Sequence, residues 1–305
     1  MHVEKSLRIA VPPEKVFESL RDFRQWRSWS PWVIAEPDCA LSYAEDGRSY
    51  SWDGKIIGAG ELVLTSEDPP YALDYGLSFF KPWKSQSRTR FALRADGDGT
   101  MVTWTMDGSL PAFLFWMKAQ MEIYVGMDYQ RGLTMLKDEL ETGVVPSRLE
   151  FPGEEDYAAR SFVGSRHKCE VAEIGAAMAS AFEKLHAEIG AGGTSPSGPP
   201  FSIYHNWDPV KGNAEFTAAI PVESPPQSLP SGVMSGELPA GRAYLVRHTG
   251  AYPHLGNAWA SGLMHGRAKQ FAQDKKTAPF EVYLNDPRET PEAELVTVVH
   301  FPVKG

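Results

Sequence analysis

The chain repeats itself. The run Phe201-Ser202-Ile203-Tyr204-His205-Asn206, followed by Ala214-Glu215-Phe216 and Ile220-Pro221-Val222, returns as Phe280-Glu281-Val282-Tyr283-Leu284-Asn285, followed by Ala293-Glu294-Leu295 and Phe301-Pro302-Val303. The spacing is nearly preserved, with 20 residues from Phe201 to Pro221 and 22 from Phe280 to Pro302. Ahead of each hairpin, a strand-like run ending in glycine leads into a helical pattern: 157–164 before 170–189, and 242–250 before 254–273. Each unit therefore reads strand, helix, strand, strand. A repeated unit that cannot cover its own apolar face packs against its copy. The expectation is a pseudo-twofold pair, joined through the Pro/Ser-rich 223–232 stretch, with a groove between the copies. The low-complexity stretch 190–200 is taken as the first unit's helix-to-strand loop.

The first half follows a different plan. Residues 2–10 alternate as a strand, Pro12-Pro13-Glu14 opens a helix, and a short helix is expected near 22–26. From 39 to 107, turn signals such as Asp53-Gly54 and Asp68-Pro69-Pro70 divide the chain into about six strands. A helix over 111–141 closes the half, with Leu133, Leu136 and Leu140 at three- and four-residue steps. An antiparallel sheet wrapped round a long helix, with a cavity between them, is the expected result. The fold class is α+β, with domains at 1–143 and 156–305 and a linker at 144–155. The 305 residues suit two domains of that size.

Charge narrows the function. The net of −9 divides at Pro146 into −5 (16 Lys/Arg against 21 Asp/Glu) and −4 (14 against 18), so neither half is basic. Direct nucleic-acid binding would lack its main source of affinity, and an anionic membrane would repel the chain. The N-terminus shows no secretory pattern, the apolar stretch 110–127 is interrupted by Lys118, Gln120 and Glu122, and the two cysteines, Cys39 and Cys169, lie in different halves. These features suggest a cytoplasmic protein with free thiols. The histidines form no paired-ligand pattern, and nucleotide-binding and serine-hydrolase motifs are lacking, so neither cofactor nor metal is expected.

Two resemblances sharpen this. Val11-Pro12-Pro13-Glu14-Lys15-Val16-Phe17 and Trp26-Arg27-Ser28-Trp29-Ser30-Pro31-Trp32, with the element order, resemble the SRPBCC (START-like, polyketide cyclase-like) helix-grip superfamily over about residues 1–143. That resemblance implies a bacterial protein holding a hydrophobic ligand under the long helix. Trp32, Trp116 and Tyr124 are candidate wall residues, together with Trp29, Trp52, Tyr75, Phe79 and Trp104; the plainer alternative is that they fill the core. The second half, with Gly241-Arg242-Ala243-Tyr244, His248-Thr249-Gly250-Ala251-Tyr252 and Glu281-Val282-Tyr283-Leu284-Asn285-Asp286-Pro287, resembles the GyrI-like effector-binding domain.

Strand alternation places Phe280, Val282 and Leu284 on one face and Glu281, Tyr283 and Asn285 on the other. The apolar face is expected under the helices, leaving Glu281 and Tyr283 to look into the groove opposite Ser202 and Tyr204. A carboxylate flanked by tyrosine rings would offer a cation a countercharge and π-faces. The resemblance implies that Glu281 matches the acidic residue at the base of such domains' pocket; the plainer alternative is an exposed strand carboxylate. Tyr252 and Trp259 are candidate walls. The leading expectation is a small-molecule binding protein that senses or sequesters a hydrophobic or cationic amphipathic compound. Two alternatives stay open. One is an enzyme, either of the cyclase or hydratase type or hydrolysing an electrophile with Glu281 as base and Tyr283 or Tyr204 as acid. The other is an effector subunit for a regulator whose DNA-binding part is separate.

Overall fold

The computed structural model describes residues 1–109, 116–191, 194–226 and 228–304. It divides into two compact units, 1–146 and 147–305. The fold is α+β throughout.

The first unit begins with β1 (His2–Ile9), α1 (Pro13–Arg21) and the single turn α2 (Trp26–Trp29). Pro13 in the first turn of α1 suits a position whose N–H has no helical acceptor. Six strands follow: β2 (Ala40–Tyr43), β3 (Ser49–Asp53), β4 (Ala59–Asp68), β5 (Ala72–Lys81), β6 (Ser85–Asp96) and β7 (Gly99–Gly108). They form an antiparallel meander, and β1 pairs with β7 at the end of the series. The closing helix α3 (Lys118–Thr142) stops at Gly143, which takes the left-handed conformation that glycine adopts without strain. Residues 111–115 of the expected helix lie outside the described residues.

The space between α3 and its sheet is filled with rings. Trp104 stacks on Tyr129 at 3.8 Å and donates its indole N–H to Thr89 Oγ1 at 2.8 Å, while Trp29, Tyr75 and Phe91 are fully buried beside them. Gly132 lets the helix approach closely, since a Cβ there would lie 2.9 Å from the Trp104 ring. Trp29, Tyr75 and Trp104 are core residues, as the plainer reading had it.

The second unit starts earlier than the sequence pattern suggests. Residues 147–157, most of the expected linker, are the strand β8 (Ser147–Tyr157). Then come β9 (Arg160–Glu170), α4 (Ile174–Ala191), β10 (Phe201–Asp208), β11 (Asn213–Pro221), β12 (Met234–Leu238), β13 (Gly241–Gly250), α5 (Gly256–Arg267), β14 (Phe280–Tyr283) and β15 (Val296–Pro302). The eight-stranded sheet runs β12-β9-β11-β10-β14-β15-β13-β8, an order that reads as two copies related across β10 and β14. The copies exchange edge strands: β8 precedes the first copy but pairs with β13 of the second, and β12 precedes the second but pairs with β9 of the first.

Candidate functional site

The register at the centre of this sheet decides the geometry. Ser202 of β10 pairs with Glu281 of β14, flanked by Phe201 with Val282 and Ile203 with Phe280. Since Phe201 corresponds to Phe280 in the repeat, Ser202 and Glu281 are equivalent positions that meet each other at the pseudo-twofold axis. Directly opposed residues on neighbouring strands have Cβ atoms about 5 Å apart. Two carboxylates would repel there, so the duplication carries one glutamate and one serine.

The expected assignment of faces is corrected. Glu281 and Tyr283 lie on the same face as the helices, because Trp259 of α5 and Met178 of α4 both reach that pair. Phe280 and Val282 pack on the other side with Phe162, Phe201, Ile203 and Leu238, and Tyr157 at the end of β8 closes on Phe280 at 5.1 Å. Both faces of the sheet are therefore buried. Alternation says which residues share a face, but only tertiary packing says which face the helices cover. Leu284 falls beyond the end of β14 and is 44% exposed. Asn285 ties down the turn, donating to the Glu294 carbonyl and accepting from Val296 N–H, and does not join the site.

Glu281 is 1% exposed. Tyr204 Oη donates to its Oε1 at 2.6 Å, Tyr283 Oη donates to the same oxygen at 2.5 Å, and Trp259 Nε1 donates to Oε2 at 2.8 Å. All three donors are neutral, and no lysine, arginine or histidine pairs with the carboxylate among the described residues. Burial pushes the Glu281 carboxyl above the usual range, against the pull of the three donated bonds. Burial together with the neighbouring carboxylate holds Tyr204 and Tyr283 well above the ordinary phenol value, so both keep their protons. Tyr283 Oη also lies 3.1 Å from Ser202 Oγ. A phenol has one proton, so Tyr283, which gives its own to Glu281, accepts from Ser202.

The phenols meet the carboxylate through their hydroxyls, which corrects the expectation that π-faces flank it. Rings close the surroundings: Tyr204 packs edge-on against Trp259 at 4.7 Å, while Phe182 of α4 and Tyr252 lie 5.5 and 6.0 Å from Tyr283. Burial with Glu281 nearby pushes Tyr252 up to about 12. Gly262 permits the close seating of α5, since a Cβ there would fall 2.1 Å from the Phe301 ring.

Five predicted residues, Glu281, Tyr283, Tyr204, Tyr252 and Trp259, thus come together. Trp32, Trp116 and Tyr124 belong to the other unit. Trp32 is half-buried against Trp104 and Tyr129, with its indole N–H 3.2 Å from Asp128 Oδ2. Tyr124 is half-buried on α3, and Trp116 is 68% exposed. A cavity of about 400 Å³ in that unit is lined by Gly76, Leu77, Ser78, Gln86, Ser87, Arg88 and Asp107, none of them predicted. Met178 and Phe182 were missed. Their signal was the apolar stripe Met178, Phe182, Leu185 along α4, whose spacing marks a buried helix face but not what it is buried against.

Residues 152–304, half of the chain, match the profile of the GyrI-like small molecule binding domain. The chain belongs to the GyrI-like family. Ahead of its GyrI-like domain, residues 1–141 match the profile described as polyketide cyclase / dehydrase and lipid transport. Among solved structures, EcmrR in a complex with DNA is similar at 17% identity and a TM-score of 0.44, covering 61% of this chain and 66% of that one. The EcmrR C-terminal domain alone is 18% identical with a TM-score of 0.42, covering 52% of this chain and 98% of that one. The Aha1 dimer from Colwellia psychrerythraea is 18% identical with a TM-score of 0.36, covering 47% and 98%. No curated protein matches the chain. No described helix is long and apolar enough to cross a membrane, and no described group of three or more His, Cys, Asp or Glu could hold a metal ion.

Proposed function

We propose that this GyrI-like protein is a receptor that senses or sequesters small organic cations, holding the positive charge against Glu281 between α4 and α5. One observation carries the reading: a fully buried carboxylate supported by three neutral donors and no cation. Removing a carboxylate from water costs several kcal/mol that hydrogen bonds only partly offset, whereas a cation brought into the same low-dielectric space restores the balance. The site is shut, so a ligand enters by parting Trp259 and Tyr252 from Tyr204 and Tyr283. The closing contacts are ring packing on the start of α5 and the loop before it, the kind of local structure that opens without unfolding the sheet.

The test is a fluorescence titration with a panel of cationic and neutral dyes of similar size. Glu281→Gln keeps the shape and removes the charge, so it should weaken the cations by tenfold or more and leave the neutral dyes within twofold. Equal loss for both classes, or for neither, removes the assignment.

A further inference from the structure

On the face of the eight-stranded sheet turned away from α4 and α5, the repeat is broken a second time. Tyr157 of β8 pairs with Gly241 of β13, and Leu238 of β12 pairs with Arg160 of β9, so Tyr157 and Leu238 are equivalent positions, as are Arg160 and Gly241. His300 pairs with Phe280 as Ala219 pairs with Phe201, which makes those two equivalent as well. Tyrosine, arginine and histidine thus stand where their mates are leucine, glycine and alanine, so the duplicated fold itself demands none of the three. They also converge. The Tyr157 ring lies across Gly241, where a Cβ would fall 2.6 Å from its hydroxyl oxygen, and it reaches Phe280 at 5.1 Å and His300 at 6.1 Å. His300 is 8% exposed and stacks on Phe280 at 4.3 Å. Arg160 shares this face with Phe162 two residues on, and its charge acts on His300. Its Nη1 is buried without a hydrogen-bond partner, and no Asp or Glu pairs with it among the described residues. We propose that Arg160, His300 and Tyr157 form a second binding site, for the carboxylate of a small organic acid with an apolar body.

The chemistry of each group supports that choice. A guanidinium N–H shut away from water with no acceptor is costly, and it is accounted for when a ligand supplies the acceptor. The planar fork of arginine matches the two oxygens of a carboxylate. Burial, with Asp274 nearby, raises the Tyr157 phenol, which therefore keeps its proton and can donate. His300 Nδ1 lies 3.0 Å from the Val298 carbonyl oxygen, so that nitrogen carries the proton and Nε2 holds the lone pair. Burial, with a smaller contribution from Arg160, pushes His300 down to about 4, so the ring is neutral at pH 7. The charged and titratable groups that face it are Arg160 and Tyr157, with Asp274 beyond Tyr157; its paired neighbours Phe280 and Leu245 are apolar. An anion beside the ring favours its charged form. His300 would then take up a proton at Nε2 as the carboxylate binds, and donate it in a hydrogen bond. Phe162, Leu238 and Phe280 offer the apolar surroundings, while Tyr157 and Arg160, each half-buried, form a rim that reaches solvent. The site lies on the opposite face from Glu281, so it stands or falls separately from the cation reading.

Calorimetric titration of the full-length chain with sodium benzoate tests this, with benzyl alcohol as the neutral control and inorganic phosphate as a non-planar anion. Benzoate should bind saturably, and the other two about tenfold more weakly or not at all. Arg160→Gln should weaken benzoate about tenfold or more, and Arg160→Lys should recover only part of that loss because an ammonium lacks the fork. Repeating the titration in two buffers of different ionisation enthalpy counts protons. Benzoate binding should take up a proton, and its affinity should rise as pH falls from 8 to 5.5, a range in which benzoate itself stays ionised. His300→Gln should abolish both effects. No saturable benzoate binding, binding that Arg160→Gln leaves unchanged, or equal binding of phosphate or benzyl alcohol would each overturn the site. Benzoate binding without proton uptake would overturn the role given to His300. The comparison of the three probes on the wild type stands whether or not a variant folds.

Discussion

Glu281 and Ser202 occupy the one pair of repeat-equivalent positions that face each other across the axis, and this explains why they differ. Both are fully buried, so a second acid at 202 would place two carboxylates in neighbouring positions away from water. Ser202→Glu should therefore destabilise the fold by about 3 kcal/mol or more at pH 7, the scale of an uncompensated buried charge. Acidification should recover part of that loss as one of the two takes up a proton. Urea denaturation at pH 7 and pH 5 measures both effects; an unchanged midpoint at pH 7 would mean that the pair does not face as described. The residue-level pattern was partly legible, since the glutamate and its serine mate stand out in the repeated hexapeptide. What the acid accepts was not, because Trp259 is 22 residues away on a helix and its donation depends on how α5 seats on the sheet.

Helix α5 is held at a second place. Asn257 Nδ2 donates to Ser147 Oγ at 3.0 Å, and that oxygen lies 3.1 Å from His248 Nε2, so one small network joins α5, β13 and the first residue of β8. Burial, with His254 close by, pushes His248 down to about 4. A histidine whose folded value is depressed contributes stability that is present above its ordinary value of about 6.5 and is lost as pH falls toward 4. The loss is up to about 3 kcal/mol at 1.36 kcal/mol per unit. Stability in denaturation experiments should accordingly decline between pH 6.5 and 4, and His248→Gln should make that part of the curve shallower without abolishing it, because burial also pushes His300 down to about 4; an identical slope in the variant would exclude this source. Elements were more legible than their partners. The six-strand meander and the strand-helix-strand-strand repeat follow from turn residues and periodicity. Strand β8 did not, because Ser147 to Tyr157 carries Pro152, Gly153 and four acidic residues and is ordered by pairing along β13.

The whole second unit is a duplicated sheet that buries both faces and places a single acid at the centre of its symmetry. An isolated buried charge is an expensive component for a fold, and its retention at that point makes sense if something else supplies the opposite charge. The acidic net charge of the sequence led to the expectation of a small-molecule partner, and the family match to a small-molecule binding domain agrees with that expectation. The most direct measurement is a crystal structure of the protein with an aromatic cationic dye at saturation. The account predicts the ligand's cationic centre against the Glu281 carboxylate, with both phenols still donating to Oε1. A ligand bound elsewhere, with Tyr204, Tyr283 and Trp259 unchanged around the carboxylate, would contradict it.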